Sequence, residues 1–458
     1  MLNHDVFINE FENQNFHFCD INWWPLIKVQ VAYQLHLKNA HVFKLKESGK
    51  YYNEIEVKVT LKDRLQFYHN YFKTSKSVKN IIVTDSFNKD SSKRVNNVIN
   101  PFTDPFIHYF EKLKIDYALF DYQKDTFLLG YDLKILKKIY LKQVKNTFNR
   151  DKEFQLQLTQ FCNFLSQNYG QDFNLYQHLV HNIITNQVEY LMFLFVLQKG
   201  KVKNILLYCY YNNTMMSIIR AANKLNITTI EYQHSQVTSN HFAYSRWATN
   251  QKNNHNFFPS KMWVWRQTDA VYLKQQFEAI KKLDFIVGGN LSLNLSKVIR
   301  DKKEDAHIRV LVTLQGIGLP DYVISCIKKH PNLIMYLRLH PRYPQDKELC
   351  EMLKSKYKEQ IEMEKANTLS LSEIFTSMDY HLTNFSGSAI EAEYFGLTNI
   401  IFGEKGYMTY KTEIESQKYL FVQSQEDLDI IFEGRIKHKA SSKEKKIDIC
   451  KLIKENFS

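Results

Sequence analysis

The sequence predicts an α/β chain of two Rossmann-like units, each built on a parallel sheet. Three observations carry that prediction. The 458 residues are long for one domain and fit two of about 200 residues each. Short runs rich in Val, Ile, Leu and Tyr alternate with helical patterns, and this alternation is unbroken beyond residue 308. Polar or glycine-bearing segments follow several of these runs, at the strand ends where parallel sheets hold ligands. A hydrophobic fraction of 44% with 24% charged residues supplies a core of ordinary size.

The first unit is expected over residues 1–283. Ile21-Asn22-Trp23-Trp24-Pro25 reads as a turn entering a helix. Residues 76–85 form a strand that leaves into a polar loop with Lys89, Ser91, Ser92, Lys93 and Arg94. A helix over 106–113 follows, with Asp104 as its N-cap and Pro105 at N1. Asp104 is equally a candidate catalytic carboxylate. A strand over 116–120 comes next. Residues 133–195 read as a helical insertion over a cleft, broken near Asn168-Tyr169-Gly170. Strands at 204–210 and 227–232 flank a helix over 214–225, an order that requires a parallel pair. At the end of the last strand stand Glu231, Gln233 and His234, with His241 and Tyr244 beyond. His234 is a candidate base at that strand end. A strand over 262–265 and a helix over 269–282 complete the unit.

The second unit is expected over 284–458, its sheet opening with the strand 308–313. Gln315-Gly316-Ile317-Gly318 is a glycine-bearing loop before a helix over 321–329. A strand over 332–339 runs into His340-Pro341-Arg342. After a further helix, a short strand and a helix over 371–378, the strand 379–385 ends at Ser386-Gly387-Ser388. A helix over 389–395 closes at Gly396, where a left-handed residue belongs, and a strand over 399–402 follows. Three strand-end loops can therefore meet at one edge. They bring Gln315 and Gly316, Arg338 with His340 and Arg342, and Asn384 with Ser386, Gly387 and Ser388. Two arginines, a histidine and a serine turn suit a phosphate or diphosphate, and Glu391, one turn into the helix, suits ribose hydroxyls.

Other chemistries lack their residues. The six cysteines are scattered without a CxxC pair, as reduced thiols of a cytoplasmic protein would be. There is no GxxxxGK[ST], no full GxGxxG, no GxSxG and no HExxH. The acidic, polar start does not resemble a signal peptide, and no run of about 18 apolar residues is present. A net charge of +13 calls for an acidic partner. No basic-aromatic nucleic-acid motif accompanies it. The basic tail from Arg435 to Lys454, with Ile447, Leu452 and Ile453, reads as a solvated helix or a weak interfacial one against an anionic leaflet.

Residues 284–430 resemble the nucleotide-binding domain of GT-B glycosyltransferases. Arg338-Leu339-His340-Pro341 is similar to the HP motif of bacterial sialyltransferases and Kdo transferases, and a like motif occurs in CDP-glycerol polymerases. Thr383-Asn384-Phe385-Ser386-Gly387-Ser388 resembles their serine motif, and Glu391 after it resembles the glutamate of wider GT-B enzymes. By that resemblance His340, Ser386 and Ser388 hold the nucleotide phosphate and Glu391 the ribose. Glu231-Tyr232-Gln233-His234-Ser235 looks like the QHG segment of surface-polysaccharide transferases, with Ser235 in place of the glycine. The Asp/Glu-Asp-Gly base motif of the sialyltransferases has no recognisable counterpart.

The resemblance implies a GT-B fold and transfer of a nonulosonic acid or Kdo-type sugar from a CMP donor. The partners implied are a nucleotide sugar and a surface glycan acceptor, lipid-linked or free, with no metal and no cofactor. Such an enzyme works at the inner face of the cytoplasmic membrane. Asp104 or His234 would take the acceptor proton while basic and hydroxyl groups stabilise the leaving nucleotide, with inversion expected. A CDP-glycerol-type transferase, a UDP-sugar transferase, a nucleotide-sugar 2-epimerase and a non-catalytic basic binding protein are the alternatives.

Overall fold

The computed structural model describes residues 14–39, 58–72, 77–85, 100–169, 175–238, 241–245, 247, 255–280, 282–295, 305–340, 344–434 and 447–458. The chain divides into two compact units. Each holds a six-stranded parallel sheet with helices, a doubly wound α/β arrangement.

The first unit opens with a two-stranded ribbon, His17–Phe18 and Ile21–Asn22, and α1 (Trp24–Asn39). Helix α2 (Leu61–Phe72) follows, then β1 (Asn80–Thr84), α3 (Asp104–Leu113) and β2 (Tyr117–Asp121). A short ribbon leads to α4 (Leu133–Arg150), α5 (Lys152–Tyr169) and α6 (Leu175–Gly200). Then come β3 (Asn204–Tyr208), α7 (Asn213–Lys224), β4 (Thr228–Tyr232), β5 (Lys261–Val264), α8 (Gln267–Gln276) and β6 (Asp284–Val287). The strand order is β6-β5-β4-β3-β1-β2, so the winding reverses between β1 and β3.

Of the three helices inserted between β2 and β3, α6 packs into the core of the unit. Helix α6 is buried along its length, from Leu179 and Ile183 to Met192 and Val196. Its polar residues find buried partners on α7. Asn186 Nδ2 donates to Asn213 Oδ1 at 2.9 Å, and Arg220 donates to Asn186 Oδ1 and Gln187 Oε1 at 2.6 and 2.8 Å. The Arg220 guanidinium also faces the rings of Trp23 and Tyr190.

The second unit runs β7 (Ile308–Thr313), α9 (Asp321–Lys329), β8 (Leu333–Arg338), α10 (Lys347–Tyr357) and β9 (Ile361–Glu362). It continues with β10 (Tyr380–Thr383), α11 (Ser388–Tyr394), β11 (Thr398–Phe402), β12 (Leu420–Val422) and α12 (Gln425–Phe432). The order is β9-β8-β7-β10-β11-β12, which reverses between β7 and β10. Gly396 ends α11 with φ 70°. Val310, Val312, Leu337, Leu382 and Ile400 fill the core beside the sheet.

Two segments lie elsewhere than a boundary at 283/284 implies. Strand β6 pairs with β5, from Asp284 opposite Lys261 to Val287 opposite Val264, so it closes the first sheet. The last helix, α13 (Ile449–Phe457), also belongs to the first unit. Phe457 meets the rings of Phe106 and Phe110 on α3, and its carbonyl accepts from Asn80 Nδ2 at 3.0 Å. Of the basic tail, residues 435–446 lie outside the described residues; the apolar face of α13, Ile449, Ile453 and Phe457, is buried in protein rather than turned to solvent or to a membrane.

Candidate functional site

In the second unit, β7 lies between β8 and β10, with Thr313 opposite Arg338 on one side and Thr383 on the other. The loops after these three strands therefore leave one edge within about 10 Å, two strand spacings. That edge includes the point where the winding reverses, the usual ligand position of such sheets.

The glycine loop after β7 is already filled. Gly316 and Gly318 adopt φ of 77° and 73°. Their N–H groups donate to the two carboxylate oxygens of Asp346, at 2.6 and 2.8 Å. Asp346 is 3% exposed, so an internal carboxylate sits where the loop would receive an anion. Against expectation, the Gly316 amide is thus not free for phosphate. Gln315 beside it is half-buried.

The serine turn after β10 divides into an inner and an outer hydroxyl. Ser388 is buried, its Oγ 2.7 Å from Ser386 Oγ, 3.1 Å from His381 Nε2 and 3.1 Å from Thr313 Oγ1. Asn399 Nδ2 donates to Ala389 O at 2.8 Å, which leaves its Oδ1 to accept from His381 Nδ1 at 2.7 Å. His381 thus carries its proton on Nδ1 and accepts at Nε2, where Thr313 Oγ1 stands at 2.9 Å. Burial holds the imidazole well below its ordinary range, to about 4. With Thr313 serving His381, the Ser388 proton goes to Ser386. Ser386 then keeps its own hydroxyl proton to donate. Of the two serines expected to meet phosphate, Ser388 is held within this inner network, and Ser386 is half-buried at its outer end. Gly387 between them has open space at its Cβ position and is the N-cap of α11 with φ −58°. The first backbone N–H of the helix, that of Ser388, donates to Ser386 Oγ at 3.3 Å.

Around Ser386 the predicted residues fall as follows. Arg338 Nη1 donates to the carbonyls of Ala366 and Leu369, both at 2.7 Å, which fixes the guanidinium at the sheet edge. Half-buried Glu391 is pushed up to about 7 by burial, against the opposing pull of Arg338. His340 is half-buried two residues beyond β8. Pro341 and Arg342 lie outside the described residues. Asn384 is 6% exposed and its Oδ1 has no hydrogen-bond partner. Two glycines make room for this residue. A Cβ on Gly403 would stand 2.5 Å from Asn384 Nδ2, and one on Gly406 would stand 2.5 Å from its carbonyl oxygen.

The first unit gathers a second polar cluster at the carboxyl end of β3 and β4. Glu231 is 1% exposed and pushed up to about 8 by burial, opposed by the hydrogen bonds of Tyr244 OH at 2.8 Å and Tyr210 N at 3.2 Å. His234 Nε2 lies 3.1 Å from Tyr211 OH, and its Nδ1 lies 3.4 Å from Tyr244 OH. Burial lowers His234 to about 4, so the ring is neutral near pH 7 and can accept a proton. Phe102 stands edge-on to it at 5.9 Å. Asp104, two residues on, is half-buried and is the first residue of α3; the N-cap is Thr103, which makes no side-chain cap bond. Gln233 is structural: its Oε1 accepts from Trp265 N at 2.8 Å and its Nε2 donates to Asp269. Sequence reasoning passed over Tyr211, His381 and Asp346. A histidine inside the apolar run of β10 was the one signal available for them.

No protein-family model matches the chain, and no curated protein sequence matches it. Solved structures do resemble it. UDP-GlcNAc 2-epimerase of Methanocaldococcus jannaschii, in complex with UDP-GlcNAc and UDP, superposes at TM-score 0.47 with 14% identity, covering 82% of this chain and 98% of that one. The Neisseria meningitidis UDP-GlcNAc 2-epimerase bound to UDP-GlcNAc gives 0.46 and 11%, covering 83% and 99%. A spinosyn rhamnosyltransferase complexed with thymidine diphosphate gives 0.37 and 7%, covering 77% and 88%.

Proposed function

We propose that the second unit binds the nucleotide of a nucleotide sugar at the Ser386 turn and that the protein is a glycosyltransferase. The observation that carries this reading is the division of labour between the two serines. A buried network spends the Ser388 hydroxyl and leaves Ser386 a donor, at the edge where the winding reverses and on which an anchored arginine also stands. Ser386 donates to a phosphate oxygen, and Arg338 and His340 supply positive or donor groups as charge develops on the leaving nucleotide. Glu391 accepts from ribose hydroxyls. In the first unit, neutral His234 or Asp104 accepts the proton of the attacking hydroxyl. The new bond forms at the anomeric carbon as the bond to the nucleotide phosphate breaks, with inversion.

The HP-like and serine-like segments favour a CMP donor carrying a nonulosonic acid or Kdo-type sugar, and a surface glycan as acceptor. A thermal-shift panel of CMP, CDP, UDP, GDP and ADP, with and without magnesium, tests this. A nucleotide at about 100 times its dissociation constant adds roughly 2.7 kcal/mol to apparent stability. A shift with CMP, lost in Ser386→Ala, supports the reading. A preference for UDP or GDP keeps the transferase and removes the CMP donor. Turnover of a nucleotide sugar with no acceptor present makes the enzyme an epimerase. No shift with any nucleotide overturns the proposal.

A further inference from the structure

Helix α2 presents an apolar stripe to the outside. Leu61, Leu65, Tyr68 and Phe72 are 73%, 61%, 58% and 80% exposed. At helical spacing they fall within roughly 60° of one another. Scattered apolar residues on a surface need no explanation, but four in register on one helix face do. The opposite face is fixed to the unit. Asp63 Oδ2 meets Lys138 Nζ at 2.5 Å and accepts from Thr60 N at 2.7 Å. The Phe67 ring stands 6.2 Å from Tyr140 and 6.0 Å from Phe195. The helix is therefore held with its stripe outward.

The charges around the stripe say what covers it. Lys58, Lys62, Arg64 and His69 are all exposed on or beside the helix. Its acidic residue, Asp63, is turned inward and spent on Lys138. A second copy laid on this face would set like charges against each other at Lys62 and Arg64, with no carboxylate of α2 to meet them. An anionic bilayer supplies the missing negative charge and accepts the apolar side chains at its boundary. The chain as a whole, at +13, is drawn to such a surface.

We propose that α2 lies in the surface of an anionic lipid bilayer, with Leu61, Leu65, Tyr68 and Phe72 entering the headgroup–acyl boundary and Lys58, Lys62 and Arg64 facing lipid phosphates. The first unit is thereby held at the membrane by a face independent of the Ser386 turn, so this inference does not depend on the nucleotide reading. It also assigns the membrane contact to α2, whereas α13 has its apolar face buried in protein.

Flotation of the full chain with vesicles tests it. One set is phosphatidylcholine alone, the other phosphatidylcholine and phosphatidylglycerol in equal parts. The protein is expected to float with the anionic vesicles and to lose binding in high salt. Leu65→Ser with Phe72→Ser, and separately Lys62→Glu with Arg64→Glu, are each expected to weaken binding at least tenfold. The melting temperature should not move, since all four side chains are exposed. Wild-type protein that stays with the pellet overturns the proposal, as does a serine variant that floats like wild type. So does a wild-type dimer in solution that becomes a monomer in the serine variant, which would show a second copy on the stripe.

Discussion

Ser388 Oγ stands 2.7 Å from Ser386 Oγ, a buried hydroxyl serving a half-buried one. The two serines are therefore expected to fail differently. Ser386→Ala removes a hydrogen bond to a charged phosphate, an interaction of about 1.5–3 kcal/mol, and should weaken nucleotide binding roughly 10- to 100-fold, on top of about 1 kcal/mol of stability lost as the Ser388 hydroxyl loses its acceptor. Ser388→Ala strands partners in a buried network and should cost about 1–3 kcal/mol of stability before any ligand is added. Calorimetric titration with the preferred nucleotide, alongside melting of the free protein, separates the two. Equal loss of affinity in stable variants would show that both serines face ligand.

Much of the fold was legible because it is local. The βαβ alternation, the strand ending at Thr383 and the left-handed Gly396 are written in adjacent residues. What escaped reading depends on distant partners. Asp346 lies 30 residues from the Gly316 amide it fills, and nothing in the spacing announces that pairing. The proton on His381 is fixed by Asn399 from the next strand. Strand β6 reads as an apolar run that either sheet could accept until its pairing with β5 is known. The basic tail read as solvated because the aromatic rings that bury Phe457 come from α3, more than three hundred residues earlier in the chain.

Asp346 yields a clean test of which loop meets phosphate. Asp346→Ala orphans the Gly316 and Gly318 amides and should cost about 2–3 kcal/mol of stability. If Ser386 is the phosphate donor, the variant keeps its nucleotide affinity within about twofold whenever it is folded. Stronger nucleotide binding by Asp346→Ala would instead mean that the vacated loop is an anion site held shut by its own carboxylate.

Stability should peak in mildly acidic solution. His178, His234 and His381 are each held down to about 4 by burial, against an ordinary value of 6.5. Between those values the unfolded chain binds more protons, so stability falls as pH drops from 6.5 towards 4, by about 3 kcal/mol at most for buried His381. Glu231 and Glu391 are shifted the other way, to about 8 and about 7 from 4.5. There the folded chain binds more protons, so stability falls as pH rises from 4.5 through those values. Denaturant melts from pH 4 to pH 9 should show both limbs. Glu231→Gln, which keeps an oxygen for Tyr244 and Tyr210, should flatten the alkaline limb by up to roughly 5 kcal/mol. An unchanged alkaline limb in that variant would show that Glu231 is ionised in the folded protein.

The return of α13 to the first unit gives the last prediction. Phe457 is 1% exposed, with Phe106 and Phe110 at 6.1 and 4.9 Å between ring centres, and its carbonyl satisfies Asn80 Nδ2. Phe457→Ala empties that aromatic pocket and should cost about 3–5 kcal/mol. The cost falls on the first unit, so a melt resolving two transitions should move the one that nucleotide does not shift. Vesicle binding through α2 should survive in the folded variant, because α13 offers no free apolar face. Loss of vesicle binding at unchanged stability would instead assign the membrane contact to the tail.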